Sequence, residues 1–150
     1  MRRISIPSLC RVTAVAALFV VASAPLAAQA REALGQSSAT LTPAIRVGNM
    51  VYASGALPSR GANADTTIQG QTKSTLENLK RTMEMAGTTM ENAVKCTVFL
   101  VEGSDFRGMN EAYAAFWPSS PPARTTVVVK ALVVPGAKLE IECIAVMPPV

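Results

Sequence analysis

Hydrophobic and polar positions divide the chain into two unlike parts. Residues 12–28 are almost without polarity, whereas beyond residue 30 short apolar runs alternate with polar ones. Ala44–Val47 and residues 50–54 read as two strands joined at Gly48-Asn49, a pair suited to a tight hairpin turn. Residues 58–65, rich in Gly, Ser, Asn and Pro, form a loop. Ile68, Leu76, Leu79, Met83 and Ala86 then fall near helical spacing, with Gly87 as the stop and Gly70 tolerated in the first turns. Residues 94–101 predict a strand with Val94, Cys96, Val98 and Leu100 on one face. Ser104 is placed to cap a second helix whose stripe is Phe106, Met109, Tyr113 and Phe116, and Pro118 ends it. Residues 124–129 and 139–147 are strands separated by a Pro135-Gly136 turn. The predicted order is β-β-α-β-α-β-β, an α+β domain with both helices on one face of a mixed sheet. On the last strand Ile141, Cys143 and Ala145 alternate with Glu140, Glu142 and Ile144. The charged face suits another subunit or a cleft, with a solvated face as the alternative.

The N-terminal part has a different logic. Arg2, Arg3 and Arg11 precede the apolar run, and Ala28-Gln29-Ala30 closes it with small residues at the positions signal peptidase reads. Residues 1–30 are therefore expected to be a cleaved signal peptide, with a retained anchor as the competing reading. A cut after Ala30 leaves residues 31–40 as a flexible polar lead-in and residues 41–150 as one domain, periplasmic or secreted and free of the membrane. It also changes the charge. Three of the fourteen Lys and Arg residues lie in the signal, so eleven remain against ten Asp and Glu, a net of +1. That balance argues against a nucleic-acid partner.

Cys96 and Cys143 remain in a compartment that permits disulfides. Each sits in an apolar strand, which favours two buried thiols; a bridge is not derivable from spacing. The chain contains no histidine, which removes imidazole bases, His-dependent triads and the usual zinc sites. The groups left for chemistry are Arg124, Glu140, Glu142, Asn110, Ser54 and Tyr113. Arg124 opens a strand after Pro121-Pro122-Ala123, where a guanidinium can clamp a carboxylate with two parallel hydrogen bonds or simply lie in solvent. Glu140 and Glu142 share a strand face, so one can position a water or pair with a lysine.

Several ordered blocks decide among these readings. Residues 47–58 (VGNMVYASGALP), Leu76-Glu77-Asn78-Leu79, Met109-Asn110-Glu111-Ala112-Tyr113, Pro122-Ala123-Arg124-Thr125 and residues 138–146 (KLEIECIAV) resemble the RidA/YjgF family, spanning roughly residues 41–147. The resemblance implies a chorismate-mutase-like fold assembled as a homotrimer with clefts between subunits. It also implies hydrolysis of 2-enamine and 2-imine acids, such as 2-iminopropanoate and 2-iminobutanoate, to 2-keto acids and ammonia, by a mechanism that needs no metal or organic cofactor. Arg124 matches the arginine that holds the substrate carboxylate, and Glu140 the glutamate that orients the attacking water. Asn110 and Ser54 fall at cleft positions. Leu41 stands where the family has a cleft tyrosine, Ala56 replaces a glutamine and Thr126 a cysteine, and residues 130–135 carry one extra residue. The alternative within the family is a non-catalytic trimer that binds small carboxylates or acts as a chaperone-like stress protein. A ribonuclease activity, attributed to some relatives, fits poorly with the near-neutral mature charge.

Overall fold

In the computed structural model, which describes residues 30–149, six strands form one mixed sheet and two helices cover one of its faces. The strands are β1 (Arg31–Leu34), β2 (Ala44–Val47), β3 (Met50–Ala53), β4 (Ala93–Leu100), β5 (Ala123–Val128) and β6 (Leu139–Val146). The helices are α1 (Ile68–Met85) and α2 (Phe106–Ala114). Sheet order is β1-β2-β3-β6-β4-β5, antiparallel except for the parallel pair β4 and β5, which α2 connects. Both helices and the mixed sheet thus follow the reading from sequence, with one strand added at the front. Arg31–Leu34, expected to be flexible lead-in, pairs antiparallel with β2. It is mostly exposed, so its order comes from backbone hydrogen bonds and an Arg46–Glu32 ion pair rather than from burial.

Local chemistry explains where the helices start and stop. Thr67 caps α1 by accepting from the Gly70 N–H at 3.1 Å, while Asp65 accepts from both the N–H and the hydroxyl of Thr67. Gly70 is required there, because a Cβ on it would lie 2.0 Å from the Asp65 carboxyl carbon. Gly87, at φ +81°, donates to Glu84 O, and Thr88 donates to Met83 O, which closes the helix with a left-handed residue. Helix α2 begins differently from expectation. A short 3-10 turn, Gly103–Asp105, precedes it, and its N-cap is Asp105 rather than Ser104.

The core lies between the helices and the sheet. Leu76, Leu79 and Met83 of α1 and Met109 of α2 meet Val51, Val98, Leu100, Leu139 and Ile141, all essentially free of solvent. Burying each such side chain contributes on the order of 2 kcal/mol. Trp117, just beyond α2, is buried and donates its indole N–H to Met90 O at 2.7 Å, pinning that end of the helix to the start of β4. On β4 a register shift between Ala93 and Lys95 turns Ala93 inward and leaves Val94 43% exposed. Val94 therefore does not share the core face with Cys96, Val98 and Leu100.

A second correction concerns the cysteines. Cys96 and Cys143 are directly opposite each other on β4 and β6, with Cα atoms 4.1 Å apart, and form a disulfide. Two separate buried thiols were the favoured expectation. The register that makes them partners joins two strands distant in sequence, which periodicity does not reveal.

Candidate active site

Arg124 stands at the start of β5, opposite Cys96 of β4, and its side chain points to the helix-covered face. Three residues of α2 form its bed. Its guanidinium carbon lies 4.7 Å from the centre of the Tyr113 ring and 5.9 Å from that of Phe106, and one terminal nitrogen is 3.9 Å from the Met109 thioether. These residues follow helical spacing, so one face of α2 presents rings and sulfur to the cation. Among the described residues Arg124 makes no ion pair. A half-buried guanidinium without a counter-charge is chemically suited to receive an anion, because its N–H groups lack the partner that burial makes valuable.

A cavity of about 440 Å³ opens beside it. Asn110 supplies an amide, Tyr113 and Trp117 supply ring surface, and Ala114, Pro121 and Pro122 complete the wall around Arg124. The Tyr113 hydroxyl is buried without a hydrogen-bond partner, and burial pushes its pKa up to about 12 against a smaller downward pull from Arg124. Tyr113 is thus neutral at physiological pH and serves as a platform.

Glu140 lies elsewhere on the same chain. It sits between Leu139 and Ile141, both core residues, so its side chain projects to the helix-free face of the sheet, opposite Phe99 in register. Gly55 makes room for it: a Cβ there would be 2.0 Å from Glu140 Oε1. Burial first, and the neighbouring Glu142 carboxylate second, hold the Glu140 pKa above the usual carboxylate value. Such a group gives and takes protons closer to neutrality than an exposed glutamate. Ser54 adjoins that glycine at the end of β3. Its hydroxyl donates to Thr42 O at 2.7 Å and its N–H to Pro43 O at 2.9 Å, which fastens the segment carrying Leu41. Leu41 itself is 53% exposed.

The fold therefore brings Arg124 and Asn110 together, and separates both from Glu140 and Ser54 by the thickness of the sheet. The sequence reading missed two contributors. Trp117 lies four residues past Tyr113, so extending the α2 stripe one more turn finds it; Gly55 carries no such signal, since only the approach of Glu140 reveals its role.

Comparison with known proteins gives this arrangement its context. Residues 24–147 match the family described as Endoribonuclease L-PSP, which is the RidA/YjgF family. The chain belongs to this family. Among RidA/YjgF relatives, mitochondrial protein mmf2 of Schizosaccharomyces pombe is 40% identical over 105 residues, covering 68% of this chain and 83% of that protein. A mouse protein named 2-iminobutanoate/2-iminopropanoate deaminase is 37% identical over 109 residues, 71% of this chain and 80% of that one. The crystal structure of a YjgF-family protein from Neisseria meningitidis superposes with a TM-score of 0.73 at 22% identity, over 82% of this chain and 99% of that one. That likeness establishes the RidA/YjgF fold, two helices on a mixed sheet.

Proposed function

We propose that the chain hydrolyses reactive 2-imino and 2-enamine acids, such as 2-iminopropanoate and 2-iminobutanoate, to 2-keto acids and ammonia. The observation that carries this reading is Arg124, a half-buried guanidinium without an ion-pair partner at the mouth of a cavity that also presents Asn110. The name of the mouse relative supports the same chemistry.

In this mechanism Arg124 takes the substrate carboxylate through paired N–H donors, and Asn110 offers an amide to the imine nitrogen. The C=N carbon is already electrophilic, so the site has only to place a water and move protons. Water adds to C2, a proton passes to nitrogen, and the C–N bond of the resulting carbinolamine breaks to release ammonia and leave the 2-keto acid. Glu140, with its raised pKa, is the group suited to accept the proton of the attacking water. Arg124 and Glu140 lie on opposite sheet faces of one chain, so they act together only across an interface between copies. A homotrimer with a cleft between subunits provides this. The exposed Tyr52 and Val127 on the Glu140 face fit burial by a neighbouring copy.

The working protein begins after Ala30 and acts outside the cytosol; residues 1–29 lie outside the described part of the structure, and the Cys96–Cys143 disulfide fits an oxidising compartment.

The test uses 2-iminopropanoate made in situ from L-alanine by an L-amino-acid oxidase, with semicarbazide trapping of the remaining imine. The mature protein is expected to speed loss of the imine, and Arg124→Ala to lower kcat/KM about 100-fold. Absence of acceleration, or full activity in Arg124→Ala, sinks the proposal. Leu41, exposed where the family has a tyrosine, favours a second reading as a non-catalytic carboxylate binder. Saturable binding of 2-oxobutanoate with no turnover of any imine selects it.

A further inference from the structure

Gln71 stands on the buried side of α1, only 6% exposed, on the helix that also buries Leu76, Leu79 and Met83. A carboxamide taken out of water there has to recover its hydrogen bonds within the protein. It recovers both from one turn. Its Nε2 donates to Gly136 O at 3.0 Å, and its Oε1 accepts from the Lys138 N–H at 2.8 Å. The turn is exposed at Pro135 and Gly136, and nothing lies within 4 Å of where a Gly136 Cβ would be. The Gln71 amide is what anchors it. The chain then enters β6, whose second residue is Glu140.

Two helical turns further along α1, Asn78 plays the same part for a second segment. Its Nδ2 donates to Leu57 O at 2.7 Å. Leu57 follows Ala56, which exchanges both backbone hydrogen bonds with Ile141, at 2.8 and 3.0 Å. That bridge lays Gly55 against Glu140, so closely that a Cβ on Gly55 would fall 2.0 Å from Oε1. Glu140 is therefore flanked by residues 136–138 before it and residues 55–57 beside it, and α1 grips each segment through one amide.

Alternation with Leu139 and Ile141 fixes the face on which the Glu140 carboxylate emerges. Where it stands on that face depends on the two flanking segments, since Gly55 leaves it no clearance on its side. We infer that Gln71 and Asn78 are positioning residues for Glu140, with α1 as the template that sets its carboxylate against the attacking water. The inference rests on the deaminase reading and extends it to two residues that touch no substrate. Neither amide hydrogen-bonds to α2 or to Arg124. Losing either should therefore slow proton transfer and spare the grip on the substrate carboxylate.

The experiment measures kcat and KM for 2-iminopropanoate, generated in situ from L-alanine, in Gln71→Met and Asn78→Ala, each alone and combined with Glu140→Gln. Gln71→Met keeps the volume and loses both bonds; Asn78→Ala removes the donor with a residue that favours helix. Each single variant should lower kcat about 10-fold and leave KM within about 2-fold of the parent. A misplacement of about 1 Å costs up to about 100-fold, and the shifts expected here are smaller. In the Glu140→Gln background the same changes should cost less than about 2-fold, because the group they position is gone. A purely structural role lowers the unfolding temperature and leaves kcat of the folded protein unchanged; that result overturns the inference. An equal loss of kcat in both backgrounds, or a loss confined to KM, also overturns it. All three leave the deaminase reading standing, whereas no turnover of any imine by the parent overturns that reading and this inference with it. Asn78→Ala alone decides the matter if Gln71→Met does not fold.

Discussion

Burial keeps the Tyr113 hydroxyl protonated and leaves it unpaired, while its ring carries the guanidinium of Arg124. The two halves of the side chain thus have opposite effects, and substitution separates them. Tyr113→Phe keeps the platform and removes the orphaned oxygen, which should raise stability by about 1 kcal/mol in chemical denaturation at neutral pH. Because the pKa is raised on folding, the parent's contribution from this group is complete below pH 10 and is lost as pH rises through about 12. Tyr113→Phe should lack that alkaline loss. Tyr113→Leu removes the ring and should raise KM about 10-fold. Glu140 follows the same sign for a different reason. Its folded pKa is raised, so its favourable contribution belongs to the protonated form and is lost as pH climbs through that value. At neutral pH Glu140→Gln should be at least as stable as the parent in thermal unfolding, yet about 100-fold slower in imine hydrolysis. Glu142→Gln removes the second cause of the shift, and should move the acid limb of the kcat/KM profile to lower pH.

At the scale of elements, the disulfide ties two neighbouring interior strands of the sheet, β4 and β6, across a separation of 47 residues. A loop of that size predicts a loss of about 4 kcal/mol on removing the bridge, to be read from urea unfolding of Cys96→Ala/Cys143→Ala against the oxidised parent. Reduction of the folded protein should be slow, since both sulfur-bearing residues are shielded from solvent. The same strands show what a linear sequence can and cannot display. Helix α1 was legible because apolar spacing and the Gly87 stop act within a few residues of each other. The bulge at Val94, the pairing of Cys96 with Cys143 and the ordering of Arg31–Leu34 all depend on a partner strand distant in sequence. For the site, family motifs pointed to Arg124, Asn110, Glu140 and Ser54, but periodicity could not say which side of the sheet each would face. The alternation of Glu140 with Leu139 and Ile141 fixes its face once the core is known; Arg124 needed the register of β5 on β4.

For the whole molecule, the separation of Arg124 from Glu140 makes assembly the decisive variable. Light scattering on the mature protein should give three times the chain mass. Val127→Lys places a charge in the row that holds Phe99 and Glu140, and should yield monomers with at least about 10-fold lower deaminase activity. Parent protein that is monomeric and fully active would remove the case for a shared site. The residues that bed Arg124 and line the cavity beside it, from Phe106 through Trp117 to Arg124, lie in a single uninterrupted stretch: α2, the proline loop and the start of β5. Glu140, on β6, and Gly55, just beyond β3, lie outside that stretch. Under the proposed function, swapping residues 106–124 between relatives should exchange substrate choice as a cassette while Glu140 and its surroundings stay in place.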